Sequence, residues 1–320
     1  MKRKIPFILL AAAAACGISF AQPVYTTPVG YYTHDGQAGG NIFVPGFVNS
    51  SVFTGAITGS TDTTLTVAEG SLAAGELDML AATGTSPATA THYVEITSAG
   101  SNQGVVIDIE SNTDSVITLA ADISALSLVG DESIVVRPHI TLAEALSGSE
   151  DLLSVFSDAA TFYNSDGSID SYFYIGEGNW SSDFASPDGN NVPITPGTGF
   201  VLNLAAETPL TVSGEVKLGS IVVQLTGGVV NIVGPVNPLF GNSAPISDLG
   251  FENLLAFTDS ITLYAPGSLT ITGTYFALGD GTVSQDFATP STDEFDFTTG
   301  GVVTASGSTS LRIEGVTVTE

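Results

Sequence analysis

One pattern of 16 residues occurs twice in this chain, and the repeat limits the possible folds more than any other feature. Residues 172–187 read YFYIGEGNWSSDFASP and residues 275–290 read YFALGDGTVSQDFATP, identical without gaps at nine of 16 positions. The identities are Tyr172/Tyr275, Phe173/Phe276, two glycine pairs, Ser181/Ser284, Asp183/Asp286, Phe184/Phe287, Ala185/Ala288 and Pro187/Pro290. With small gaps the match extends both ways. Glu150, Leu152 and Leu153 pair with Glu252, Leu254 and Leu255, DAATFY at 158–163 pairs with DSITLY at 259–264, and LTVSG at 210–214 pairs with LRIEG at 311–315. Two units of about 70 residues on one plan are the expectation from such self-similarity.

A fainter match lies upstream. Gly39, Gly40, Asn41, Ile42, Pro45, Val48 and Asn49 resemble Gly227, Gly228, Asn231, Ile232, Pro235, Val236 and Asn237. The expected organisation is a first β unit over 22–216 and a second over 217–320, the second duplicating about 145–216. The first unit then carries an insertion over about 54–138, expected to be a small barrel-like subdomain.

The strand signal is strict alternation in residues rich in Val, Ile and Thr, bounded by Gly, Pro, Asn and Asp. It appears at 64–67, 93–97, 105–109, 116–119, 210–212, 260–263, 269–271 and 311–313. Period two with β-branched residues puts one face of each strand in a core. Helical periodicity is scarce. Thr141 followed three residues later by Glu144 has the form of a capping box opening a helix over 141–146. Ser149 is a second candidate cap, for a helix over 149–156 with Leu152, Leu153 and Phe156 on one face. Residues 245–249 are a weaker third. The fold class is all-β, as tandem duplicated sandwiches or barrel-like units with minor short helices.

Residues 1–21 have the form of a secretory signal peptide. Lys2, Arg3 and Lys4 precede an apolar run over 5–15, which is too short to span a bilayer as a helix. Small residues Ser19 and Ala21 favour cleavage before Gln22. Cys16 follows Ala13, Ala14 and Ala15, a lipobox-like run that makes lipidation a second expectation. Cleavage after Ala21 removes the only cysteine, so disulfides contribute nothing to the mature fold. No later stretch is long and apolar enough for a transmembrane helix.

Cleavage would also leave 33 acidic side chains against three basic ones, Arg137, Lys217 and Arg312, a net charge of −30. Nucleic-acid binding needs clustered Lys and Arg, so this balance excludes it as a function. A polybasic contact with anionic lipid is excluded likewise. Arg137 and Lys217 stand near the expected unit boundaries, where each is expected to pair with a carboxylate and bridge units. With few cations, most carboxylates repel one another, which suits a salty exterior.

Several stretches resemble an uncharacterised family of exported β-rich proteins known mainly from Verrucomicrobia-type bacteria. They are YVEIT at 93–97 with Gly104, Ile107, Asn112, Thr113 and ITL at 117–119, then RPH at 137–139 with Thr141 and Leu142. ITPGTGF at 194–200 and LTVSGEV at 210–216 complete the set. Where the family often has a bulky aromatic after the histidine, this chain has Ile140. The resemblance covers most of the mature chain. It implies export and a β fold, and no functional residues come with it.

Chemistry-bearing candidates are few. His34, His92 and His139 lack metal-site spacing. No G-x-S-x-G elbow is present. Gly176 with Gly178, and Gly279 with Gly281, have the spacing of tight turns and not of phosphate loops. Asn164, Asp166 and Asp170 place oxygens at alternating positions around Gly167, a weak calcium candidate. Asp188, Asn190 and Asn191 are similar. Asp, Asn, Ser and Gly are also the residues of plain turns, and 265–268 in the second unit carries no carboxylate. Trp180, the only tryptophan, with Tyr172 and Tyr174, is a weak glycan candidate. The competing reading of Trp180 is a packed aromatic, which Val283 at the equivalent position favours.

The expected function is therefore a secreted, acidic, non-enzymatic protein with a structural or adhesive role outside the cell or at its surface, the periplasm being a further location. Expected partners are extracellular polysaccharide or other envelope proteins. A polysaccharide- or calcium-binding module is the alternative. A secreted carbohydrate-active enzyme rests only on abundant carboxylates. An outer-membrane barrel fits the alternation but not the C-terminal residue or the aromatic distribution.

Overall fold

The structure is a computed structural model that describes residues 28–83, 88–234, 243–246, 250–265, 267–296 and 300–313. The expected signal peptide, Cys16 and residues 247–249 of the third expected helix lie outside the described residues. The fold is all-β, with 25 strands, one short α-helix and short 3-10 segments among the described residues.

The described residues open with β1 (Val29–Gly36) and β2 (Gly39–Phe43). Seven strands follow: β3 (Phe53–Ala56), β4 (Gly59–Ser60), β5 (Thr64–Thr66), β6 (His92–Ile96), β7 (Val106–Asn112), β8 (Val116–Leu119) and β9 (Ser133–Pro138). The first unit resumes with β10 (Ile140–Thr141), α1 (Leu142–Leu146), β11 (Ala159–Tyr163), β12 (Ile169–Gly176), β13 (Asn179–Ser181), β14 (Pro193–Ile194), β15 (Phe200–Leu204) and β16 (Thr208–Glu215). The second unit contains β17 (Ile221–Leu225), β18 (Asn231–Val233), β19 (Ser243–Pro245), β20 (Ser260–Tyr264), β21 (Ile271–Ala277), β22 (Val283–Ser284), β23 (Glu294–Asp296), β24 (Gly301–Thr304) and β25 (Thr309–Ile313).

The two units share one strand plan. A five-stranded sheet runs β13-β12-β11-β15-β2 in the first and β22-β21-β20-β24-β18 in the second. Each unit adds two ribbons, β1-β16 and β10-β14 in the first, β17-β25 and β19-β23 in the second. Register agrees as well: Ala160 sits opposite Tyr172 as Ile261 sits opposite Tyr275, and Asn41 opposite Leu202 as Asn231 opposite Val303. Register is specified this tightly because a one-residue slip would turn every core side chain outward. Between β2 and β10, the seven intervening strands form a sheet of their own, in the order β3-β9-β6-β7-β8-β5-β4.

Each body has its own apolar core. Phe43, Trp180, Phe200 and Leu202 centre the first, Ile221, Phe251, Ile261 and Val303 the second, and Leu65, Val94, Ile109 and Ile134 the inserted sheet. A small cluster of Ile42, Val44, Val201 and Ile232, with Tyr264 and Val302 against it, joins the two five-stranded sheets. Val222 of β17 packs into the core of the inserted sheet, and Val106 of β7 packs against the core of the second unit.

The three cations among the described residues all sit where the inserted sheet meets its neighbours. Arg137 of β9 pairs with Glu215 of β16 and donates to the carbonyl of Asn49. Lys217, on the link between the units, is buried and lies 2.7 Å from the buried Glu95 of β6. Arg312 of β25 donates to the carbonyls of Gln103 and Ser101 and to Ser220 Oγ. Beside it the backbone of Gly104, at φ +82°, comes so close to Ser220 that a Cβ would lie 2.5 Å from its carbonyl oxygen. Buried charges persist only when paired and hydrogen-bonded, so these contacts fix the inserted sheet to both units.

The capping box at Thr141 and Glu144 is present and opens α1. The helix expected over 149–156 is instead a 3-10 segment, Ser147–Leu152, followed by a turn. Leu153 is buried, but Leu152 and Phe156 are exposed. The cause is Asp158, whose Oδ2 accepts from Ser154 N while Phe156 N donates to Tyr174 O, diverting the chain out of helix. The buried leucine of the equivalent segment is Leu254, so Leu153 and not Leu152 is its structural counterpart.

Candidate functional site

The most distinctive surface feature is a cluster of three phenylalanines that occurs once in each unit. In the first, the Phe173 and Phe184 rings stack at 4.3 Å with 27° between planes, and Phe156 lies 6.0 Å from Phe184. In the second, Phe276 and Phe287 stack at 4.3 Å and 27°, and Phe257 lies 6.3 Å from Phe287. Phe156 and Phe257 are each 59% exposed, and Phe184 and Phe287 are 46% and 45% exposed. Leu152 and Val155, near Phe156 in sequence, and Leu255, near Phe257, are exposed as well.

Four of these phenylalanines hold left-handed backbone, with φ of 60° at Phe156, 64° at Phe184, 59° at Phe257 and 62° at Phe287. A bulky residue there is a genuine outlier that costs about 1–3 kcal/mol. Carboxylates impose the conformation. Asp158 is buried and accepts from Ser154 N (2.7 Å) and Ala205 N (2.7 Å). Asp259 accepts likewise from Leu255 N (2.8 Å) and Ser306 N (2.8 Å). Asp183 Oδ1 accepts from Ser181 Oγ and from the N–H groups of Ala185 and Ser186, each at 2.9 Å. Asp286 Oδ1 repeats this set with Ser284 Oγ, Ala288 N and Thr289 N.

These bonds favour the ionised form. The Ser186 N–H, then those of Ala185 and the Ser181 hydroxyl, lower the Asp183 pKa. The Thr289 N–H, then the Ser284 hydroxyl and Ala288 N–H, bring Asp286 down to about 2. The arrangement holds aromatic rings at the surface beside hydrogen-bonded carboxylates.

The residues expected to bind glycan lie elsewhere. Trp180 is 1% exposed and packs in the core beside Tyr174, which is itself buried with its hydroxyl on Glu150 O. Neither ring offers a face to a ligand. Tyr172 is half-buried, edge-on to Phe162, and its hydroxyl pKa is pushed up to about 12 by burial and then by Asp170 and Asp188. The calcium candidates come together as a closed turn. Asn164 Nδ2 donates to Ser168 Oγ (2.9 Å) and Asp170 Oδ2 (2.7 Å), and Asp166 Oδ1 accepts from Ser168 N (2.8 Å). Asp188 and Asn190 likewise serve the backbone, accepting from Ser182 N and Trp180 N. Among the described residues no three His, Cys, Asp or Glu side chains converge as a metal site.

His92 and His139, distant in sequence, meet at the base of the inserted sheet. His139 Nε2 lies 3.0 Å from Asp108 Oδ1, and its ring is 5.0 Å from that of Tyr93. Burial, then the charge of His139, lowers the His92 pKa. The phenylalanine clusters escaped the sequence reading, although the repeated SxDFA[ST]P segment is where their signal lay. Among the described residues no helix is long and apolar enough to cross a membrane. Comparison with family models, curated proteins and solved structures gives no match.

Proposed function

We propose that this is an exported, non-enzymatic β protein with an adhesive or structural role outside the cell, and that its two units are copies of one duplicated β module. The observation that carries this reading is the pair of exposed phenylalanine clusters. Each holds two rings on strained backbone at the surface, where exposure forgoes the roughly 1.5–3 kcal/mol that burying such a ring contributes. Strain kept at the surface is a motive for a functional hypothesis. The shared strand order and register of the two sheets support the duplication. Export rests on residues 1–21.

The contact partner is extracellular polysaccharide or another envelope protein. The cations among the described residues are engaged at internal junctions, so the contact surface offers aromatic rings and carboxylates. Such a surface takes an uncharged or basic partner and repels an acidic one. The test is fractionation of producing cells followed by sizing of the released protein. The expected result is recovery with the surface fraction. Release as a freely soluble monomer without affinity for that fraction overturns the proposal.

A further inference from the structure

The two five-stranded sheets meet at two equivalent junctions, and a cleft lies at one of them. Each has an asparagine-stapled turn, between β1 and β2 in the first unit and between β17 and β18 in the second. Asn41 Oδ1 accepts from Gln37 N while its Nδ2 donates to Gln37 O, Gly39 O and Leu202 O. Asn231 does the same with Thr226 N, Thr226 O, Val229 O and Val303 O. At the first junction the β1–β2 turn closes on the turn between β20 and β21. Gln37 N donates to Gly267 O at 3.2 Å, and Leu269 lies where a Cβ on Gly40 would come within 2.5 Å of it. At the second junction the β17–β18 turn, whose Val229 would lie 3.7 Å from a Cβ on Gly167 in the turn between β11 and β12, borders a cleft of about 250 Å³.

Both units build this cleft: Phe162, Tyr163 and Asn164 line one side, Thr195 another, and Gln224 and Thr226 the third. None of the described residues lining it is Asp, Glu, Lys or Arg, although the chain has 33 acids. Its apolar wall is fixed in place, because the Phe162 ring stacks on Phe200 at 4.8 Å and meets Tyr172 edge-on. The Asn164 amide nitrogen is engaged within its own turn, which leaves Oδ1 as its acceptor for a ligand.

We propose that this cleft binds one ring of a neutral sugar. Amides and hydroxyls donate and accept in the manner that sugar hydroxyls require, and Phe162, Tyr163 and Val223 add apolar lining for the C–H side of a pyranose. A lining without carboxylates gives a cation no partner, and the strongly negative molecule disfavours an anion. The volume falls below the roughly 300–1,000 Å³ of drug-sized sites, which suits a single ring. The site does not depend on the phenylalanine clusters, so the two can fail separately.

The test is calorimetric titration of the purified protein with glucose, galactose, mannose and N-acetylglucosamine, with glucuronate as the charged control. At least one neutral sugar binds at one site with Kd at or below about 1 mM, and glucuronate binds at least about ten-fold more weakly. Gln224→Ala and Thr195→Val each weaken binding about ten-fold at unchanged melting temperature, and Thr195→Trp, which fills the cleft, abolishes it. Absence of binding by all four neutral sugars overturns the proposal, as does binding that survives Thr195→Trp in a folded protein or that prefers glucuronate.

Discussion

The two five-stranded units agree where the backbone is under constraint and differ where side chains only fill space. Asp158 and Asp259 clamp the same pair of backbone N–H groups, and Asp183 and Asp286 hold the same turn. Each clamp sits beside a phenylalanine in left-handed backbone. The cores behave otherwise. Trp180 in the first is replaced by Val283 in the second, and Tyr174 by Ala277, and all four are buried. Cores tolerate a change of volume when neighbours repack, whereas a buried N–H without an acceptor has no such remedy. The first unit also carries the inserted sheet, and buried ion pairs hold it there.

That comparison can be broken at its strongest point first. Lys217→Ala leaves Glu95 charged and unpaired in the interior, a loss of about 3–5 kcal/mol by urea unfolding. Replacing both with apolar residues, as Lys217→Met with Glu95→Leu, restores most of it. A loss below about 1 kcal/mol for the single change contradicts the structural role given to the pair. Trp180→Ala is expected to cost about 3–5 kcal/mol, and Val283→Ala distinctly less, because fewer buried atoms are removed. Equal losses would mean that the two cores are not specialised as described.

The clamps should show the opposite pattern. Asp158→Ala and Asp259→Ala each strand two N–H groups, at about 1–3 kcal/mol apiece, and the two losses should match. A clear disparity between them would break the equivalence of the units. A smaller effect follows from pH. The folded state holds Asp286 at about 2, below the 3.8 of a free aspartate. Its stabilisation is therefore present above the ordinary carboxylate range and is lost as pH falls through about 2. Asp286→Asn should flatten the acid limb of a stability-against-pH curve between about pH 4 and 2. An unchanged limb would show that the carboxylate does not carry the turn.

Much of this architecture was legible in the sequence because strands announce themselves locally. The alternation at 116–119 is the strand Val116–Leu119, and the stretch 260–263 lies in the strand Ser260–Tyr264. Alternation at 269–271 marked only the start of β21 at Ile271, since Leu269 belongs to the turn that closes the first junction. The segment over 149–156 had helical spacing, yet the Asp158 carboxylate and the carbonyl of Tyr174, both further along the chain, claimed its N–H groups. Long-range partners explain the other gaps. Lys217 was marked by position, but Glu95 lies in another sheet. The cleft proposed for a sugar draws on residues from Phe162 to Val233, which no local pattern connects. Of the exposed phenylalanines only Phe156 had an expected place, on the apolar face of a helix over 149–156, because hydrophobicity in a sequence does not reveal the sign of φ.

Those phenylalanines carry the central claim, and one variant tests it most directly. Glycine accepts left-handed backbone without strain, and Phe156 and Phe257 bury little, so Phe156→Gly with Phe257→Gly should change stability by no more than about 1 kcal/mol. The measurement is retention of this double variant on the surface fraction of producing cells, beside its melting temperature. The account predicts a folded protein of near-normal stability that no longer adheres. Full adhesion by the folded variant would contradict it.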